Sequence, residues 1–398
     1  MLVNYIQQHI KTSLSIIQNY HGEAPLSIHL KHFFSQHKKY GSKDRKNILQ
    51  LTYCYYRVCN LFHKQATATH IEQALWLCSK EPNALLKAVN QDWNEQATLS
   101  FNDKLTQLSI STNSMLFPWS SQISKGIDLQ AWQESFLQQP NLFIRIRANY
   151  HQKVIGILHT NQIAFTQINA TCIALPNNTN TETLFKINKE VVIQDYASQQ
   201  IGAFFESILT HDKAKNNGVP SHFSIWDCCA ASGGKSILAK DSLPSCTITV
   251  SDVRPSILAN LAKRFQQAGI YDYHSFVADL ASQQQLHPTQ YNLIICDVPC
   301  SGSGTWSRTP ENLFFFQIEK LTQFTHLQFT IAKKSIQKLL PGGYFLYITC
   351  SIFADENEQI VDKIRIAYPK LQVLEQRLIC GYPYLADSMF AALLHYPS

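Results

Sequence analysis

Between residues 222 and 350 the chain alternates short apolar segments with amphipathic ones, and no other feature of the sequence limits the possible folds so tightly. The apolar segments read as strands at Ser224–Asp227, Thr247–Asp252, Ser275–Ala278, Tyr291–Asp297 and Gly343–Cys350, with stretches of helical periodicity between them. Strands that are apolar throughout are buried on both faces, so the expected fold class is α/β, a parallel sheet covered by helices. Such sheets bind ligands outside the carboxyl ends of their strands, which directs attention to the residues just past each one.

At 398 residues the chain exceeds what one hydrophobic core usually organises, and two or three domains are expected. From Met1 to about Pro140, apolar residues recur at helical spacing, as in Ile48, Leu51, Tyr55 and Val58, and glycine is almost absent. This predicts an all-helical domain over 1–140. Tyr53, Tyr55 and Tyr56 read as core or interface aromatics, with stacking on nucleic-acid bases as the functional alternative. Residues 141–200 form a small α+β segment, with strands at Leu142–Ile146 and Val191–Ile193, a helix near Val154–His159 and a polar loop over Pro176–Thr183. Arg145 and Arg147 alternate with Ile144 and Ile146, so both guanidiniums would leave one strand face, either into solvent or onto the phosphates of an RNA. A helix over Ser198–Leu209 and a polar linker, His211–Pro220, then lead into the α/β domain, 201–398.

Several function classes are excluded at this level. No run approaches the roughly 18 apolar residues of a membrane span, and Met1–Tyr20 lacks the compact apolar segment of a secretory signal. A cytoplasmic protein without a membrane partner is expected, with a monomer as the default. Eleven cysteines, an odd number at irregular spacing, imply reduced thiols. Paired CxxC segments with histidine partners are missing, so no metal is expected. The net charge of +6 suits a polyanionic partner without requiring one.

The first chemical motif follows the strand ending at Asp227: Cys228, Cys229, Ala230, Ala231, Ser232, Gly233, Gly234 and Lys235, with a helix opening near Ser236. Small residues there let a ligand approach the backbone at a helix N-terminus. Asp252, eighteen positions beyond Gly234 at the end of the next strand, is placed to bind ribose hydroxyls, and Asp279 to face an adenine. Together these predict a nucleoside cofactor. The glycine pair lacks the upstream glycine of a Walker A loop, which argues against an NTPase. Two further motifs each put a cysteine just past a strand. One runs Asp297, Val298, Pro299, Cys300, Ser301, Gly302, Ser303, Gly304; the other runs Thr349, Cys350, Ser351, followed by Asp355, Glu356, Asn357 and Glu358. Cys172 and Cys296, inside apolar strands, read as inert core residues.

Thiols beside a nucleoside cofactor suit one difficult reaction. Carbon 5 of a pyrimidine is a poor nucleophile, but thiolate addition at carbon 6 turns the ring into an enamine whose carbon 5 is electron-rich. A hydrogen bond or proton at N3, a role suited to Asp297, favours the addition, and a base must later remove the carbon 5 proton, with Cys300 the candidate assistant.

The three motifs, in this order, resemble those of the RNA cytosine-5 methyltransferases of the RsmB (Sun, Fmu) and Nop2/Sun group, from about Asn141 to the C-terminus, with a weaker helical match before it. The family's loop normally reads CAAPGGK and stands here as Cys229–Lys235 with Ser232 in place of the proline. The resemblance implies a C-terminal Rossmann-like class I methyltransferase domain, a small ferredoxin-like RNA-binding subdomain and an N-terminal all-α, NusB-like domain. It implies S-adenosyl-L-methionine as cofactor, held by Cys229–Lys235, Asp252, Asp279 and Asp297. Cys350 would be the nucleophile, Cys300 would assist product release, Asp297 would hold the cytosine and Lys235 would lie near the reacting centre. Small-subunit (16S) ribosomal RNA is the implied partner, with transfer RNA and 23S ribosomal RNA as alternatives. Arg147 stands where asparagine is more usual, and Ser388 and Met389 interrupt the pattern around Asp387 and Phe390. Two rivals differ in kind: a DNA cytosine methyltransferase using Cys300 as nucleophile, against which Cys350 argues, and a non-catalytic RNA-binding assembly factor, against which the retained cysteines, Asp297 and Lys235 argue.

Overall fold

The computed structural model describes residues 2–62, 65–111, 116–215, 222–243, 245–282 and 289–398. It divides into two compact units. The first comprises Met1–Ser121, Asp128–Gln139 and Thr305–Ile318, the second Gln122–Ile127, Pro140–Gly304 and Glu319–Ser398. The helical unit therefore ends at Gln139 and recruits a segment from the distant 305–318 stretch, whereas the expected small domain over 141–200 clusters with the α/β domain.

The first unit is helical because its apolar residues fall on single helix faces and its helix starts are capped. Thr67, Asn83, Asn90, Ser100 and Asp128 each accept a hydrogen bond from a backbone N–H of the first turn they precede. On the helix Ser42–Val58, Ile48, Leu51, Tyr55 and Val58 are all buried, as is Tyr56. Tyr55 and Tyr56 are thus core aromatics, and Tyr53 packs beside them half-buried. Two cations are buried with them and matched to backbone oxygens: Lys104 donates to the carbonyls of Trp76, Ser79 and Ala97, and Arg57 to that of Phe136.

In the second unit a small antiparallel sheet comes first. Its strands are β1 (Leu142–Ile146), β2 (Thr166–Gln167), β3 (Cys172–Leu175) and β4 (Val191–Ile193), in spatial order β2-β3-β1-β4. The helix His151–Thr160 packs Val154 and Leu158 onto Ile144, Ile146 and Ile173. The segment read as a polar loop contains one helical turn, Thr181–Leu184. Of the expected linker, His211–Lys215 belongs to the helix Gly202–Lys215, and residues 216–220 lie outside the described residues.

Among the described residues the main sheet has seven strands: β5 (Phe223–Asp227), β6 (Cys246–Asp252), β7 (Tyr273–Val277), β8 (Tyr291–Asp297), β9 (Leu339–Thr349), β10 (Gln372–Ile379) and β11 (Met389–His395). Their order is β10-β11-β9-β8-β5-β6-β7, with β5 to β9 parallel and β10 and β11 antiparallel to their neighbours. Leu293–Cys296 and Phe345–Ile348 are fully buried, as strands covered on both faces must be. Strand order reverses beside β5, which pairs with β6 on one side and β8 on the other; crevices form at such switch points. Among the described residues no helix is long and apolar enough to cross a membrane.

Candidate active site

The loop after β5 turns tightly above the switch point. Cys228 N–H donates to Ile295 O and Ala230 N–H to Ser251 O, which ties the loop to both neighbouring strands. Ala231 and Gly233 take left-handed conformations, at φ of 46° and 80°. Gly233 is required for a second reason, since a Cβ there would come within 2.8 Å of Phe265. The helix Gly234–Ser242 opens directly afterwards.

Beside this loop lies a cleft of about 510 Å³ lined by Cys229, Ala231, Asp252, Val253, Asp279, Leu280, Asp297, Pro299 and Ile331, among others. Carboxylates at the ends of successive strands and an apolar wall are what a nucleoside needs. Asp252 accepts hydrogen bonds from Ala231 N–H and from the Arg254 backbone and guanidinium. Burial alone would raise its pKa, but the hydrogen bonds and charge of Arg254 outweigh this and hold the carboxyl below its ordinary value. Arg254 and Val253 were not anticipated, although both directly follow the predicted acid. A cavity of similar size, about 500 Å³, lined by Ile336, Pro341, Tyr368 and Tyr396, holds none of the motif residues. Among the described residues no group of three His, Cys, Asp or Glu side chains is placed to hold a metal ion.

The other motifs converge next to Asp297 and Pro299 of the cleft wall, although Lys235, Cys300 and Cys350 do not themselves line the cleft. Lys235, in the first turn of its helix, pairs with Asp297 at the end of β8, Nζ to Oδ2 3.1 Å. The sulfurs of Cys300 and Cys350 are 3.2 Å apart. The contact with Cys350, reinforced by burial and by the charge Cys350 can carry, pushes the Cys300 thiol well above its ordinary pKa. Ionisation of Cys300 is therefore disfavoured while the Cys350 contact and burial persist. Cys172 and Cys296 are fully buried within their strands, and burial pushes Cys172 up to about 12.

A residue noted only as part of a motif turns out to organise both cysteine loops. Glu356 is fully buried, and its carboxylate accepts from Ser301 N–H (2.8 Å), the Ser301 hydroxyl (2.5 Å), the Ser351 hydroxyl (2.5 Å) and Gln328 Nε2 (2.8 Å). Ser301 and Ser351 directly follow the two cysteines, so one carboxylate fixes the spacing of two sulfurs. Asn357 adds a bond from its Nδ2 to Ser351 O and accepts from Thr349 Oγ1. Gly304 closes the arrangement: its N–H donates to Cys350 O, and any Cβ would overlap the backbone of Ser388.

The two arginines expected on an open strand face are a correction. Arg145 is only 6% exposed and bonds Gln194 and Asp241; Arg147 bonds Asp241, Asn188 O and Ala268 O. Both guanidiniums share the Asp241 carboxylate at 2.7 Å, so each charge is paired within the protein, with Arg145 Nη2 buried and without a hydrogen-bond partner among the described residues. The second face of β1 is covered, which alternation along the strand could not reveal.

Residues 217–379 match the family model described as 16S rRNA methyltransferase RsmB/F. Over this stretch, less than half of the chain, the sequence is similar to the RsmB/F methyltransferase family. The ribosomal RNA small subunit methyltransferase B of Xylella fastidiosa is 27% identical over 171 residues, 42% of this chain and 36% of that protein. Its namesake from Yersinia pseudotuberculosis is 26% identical over 151 residues, 38% of this chain and 35% of that one. The matched stretch thus spans little more than a third of each relative's length. Among solved structures, PH0851 superposes with a TM-score of 0.67 at 18% identity, covering 97% of this chain and 98% of that one. NSun6 from Pyrococcus horikoshii, solved with SFG, gives 0.55 at 12% identity, covering 68% and 94%. Both share the fold.

Proposed function

We propose that this protein is a cytoplasmic, S-adenosylmethionine-dependent methyltransferase that modifies carbon 5 of a cytosine in 16S ribosomal RNA through a covalent adduct to Cys350. The carrying observation is the 3.2 Å approach of two sulfurs, from loops after adjacent strands, beside a nucleoside-sized cleft. The family description and the relatives' names support the ribosomal target.

In this reading Asp252 holds the cofactor's ribose, Asp279 and Val253 flank its adenine, and Cys229 and Ala231 of the loop border its remaining part. When bound, the cofactor supplies an electrophilic methyl group. The Cys350 thiolate adds to carbon 6 of the cytosine, and the Lys235–Asp297 pair supplies the proton that N3 gains as the ring double bond gives its electrons to carbon 5. Once its sulfur is bonded to carbon, Cys350 carries no charge. The Cys350 part of what raises the Cys300 pKa is then gone, which makes it easier for Cys300 to release its proton to solvent. Cys300 then accepts the carbon 5 proton, the C5–C6 double bond re-forms, N3 returns its proton, and Cys350 leaves as thiolate. Bisulfite sequencing of ribosomal RNA from a strain lacking the gene tests the reading: one cytosine should lose protection, and an unchanged pattern would refute the ribosomal target.

Glu356 should matter to this chemistry without touching substrate. Glu356→Gln puts an N–H₂ where donors already converge, which must displace Ser301 or Ser351 and hence a cysteine. A shift approaching 1 Å costs on the order of 10²-fold in turnover. The expected result is a fall of that size in kcat with KM for RNA nearly unchanged, measured by steady-state methyl incorporation.

A further inference from the structure

We propose that Arg264 is a positioning residue for the cofactor loop, and that the small antiparallel sheet, through Asn188, Gln194, Arg145 and Arg147, braces that loop and its helix. This rests on the reading that the cleft binds S-adenosylmethionine. The loop carries serine at 232 where the related motif has proline, and two glycines follow it. Such a segment has much freedom to lose on binding.

Ser232 does not line the cleft. Its carbonyl and hydroxyl instead accept two hydrogen bonds from one nitrogen of Arg264, at 2.9 and 2.7 Å. The rest of that guanidinium is anchored on Asn188 Oδ1, with Nε and the second terminal nitrogen each at 3.2 Å. Asn188 is itself fixed: it is 3% exposed, adopts φ of 64°, donates its N–H to Val191 O and its Nδ2 to Gln267. A planar fork held on one side by a rigid loop and gripping a flexible one on the other restricts the flexible one. The helix that follows is held at both ends from the same sheet. Gln194 reaches Gly234 O at its start, and Arg145 and Arg147 hold Asp241 near its finish. The arginines that the sequence suggested for phosphate thus serve the cofactor side.

Calorimetric titration of the full-length protein with S-adenosylmethionine tests this. Arg264→Gln should weaken binding about tenfold, the loss expected from removing charge-assisted hydrogen bonds. It should raise the cofactor KM by a similar factor while kcat at saturating cofactor stays within about twofold, as loss of binding common to ground and transition states requires. Ser232→Ala, which deletes a single hydroxyl and leaves folding intact, should weaken binding about threefold. Arg365→Gln, an exposed residue on the helix Glu358–Ala367, should bind as the unmodified protein does. Unchanged affinity in Arg264→Gln, or in Ser232→Ala should the first variant unfold, would overturn the inference. Failure of the unmodified protein to bind the cofactor would instead refute the proposed function.

Discussion

Replacing Cys350 by alanine is expected to remove both methyl transfer and the denaturation-resistant adduct with RNA, whereas replacing Cys300 by alanine is expected to let that adduct accumulate. Both effects follow from the separate roles proposed for two sulfurs 3.2 Å apart. The Cys350 contact and burial push the Cys300 thiol well above its ordinary pKa, which disfavours Cys300 as the attacking thiolate and, on the proposed reading, leaves that role to Cys350. Without that sulfur, carbon 5 is never activated, and turnover should fall by at least on the order of 10⁴-fold, about 5.5 kcal/mol of barrier. Without Cys300 the addition and methylation steps survive, but removal of the carbon 5 proton lacks its acceptor. A loss on the order of 10²- to 10⁴-fold is the usual cost of a missing general base. Radiolabelled RNA run on a denaturing gel separates the cases, since only Cys300→Ala should retard it. The reverse pattern would make Cys300 the nucleophile.

How much of this was legible in the sequence depended on whether the signal was local. The strands β5, β6 and β8 are short runs with buried residues on both faces, so composition alone located them within a residue or so, and the motif residues at their ends were placed with them. Strand β10, at an edge, breaks its apolar residues into two pairs around Glu375–Arg377, and β2 is two exposed residues; neither gives a run long enough to stand out. Strand β11 is buried and apolar from Met389 to Leu394, yet its start was read only for the departures at Ser388 and Met389. At the site, Glu356 was visible as a letter beside Cys350, but its function depends on Ser301, fifty-five positions away. Arg145 shows the same limit. Alternation assigned it to the strand face opposite Ile144 and Ile146, but the acid that covers that face, Asp241, lies ninety-six positions later on a helix. Period-two patterning reports which face a side chain takes, never what the fold lays over it.

Asp227 should make the protein lose stability as pH rises, and Asp227→Asn should abolish that loss. The residue ends β5, is completely buried, and accepts a hydrogen bond from the Ser236 hydroxyl at 2.6 Å on Oδ2, while Oδ1 has no hydrogen-bond partner among the described residues. Burial dominates and pushes the carboxyl up to about 7 from an ordinary 3.8, with Asp297 adding to the rise and the Ser236 bond opposing it. The sign follows from proton counting: between those two values the native state holds a proton that the unfolded chain has released, so stability falls with increasing pH across that window. The protonated form's contribution is complete below 3.8 and lost as pH passes about 7. At about 1.4 kcal/mol per pH unit, the full window amounts to about 4 kcal/mol. An asparagine cannot ionise, and its carbonyl can keep the Ser236 hydrogen bond. Subtracting the two unfolding free energies, each from urea titration, cancels the other titrating groups. That difference should grow in favour of Asp227→Asn by about 4 kcal/mol from acid to mildly alkaline pH. A difference that stays flat across the window would mean that water or a neighbouring donor reaches Oδ1, and that the strand end beneath the cofactor loop is less dry than its geometry indicates.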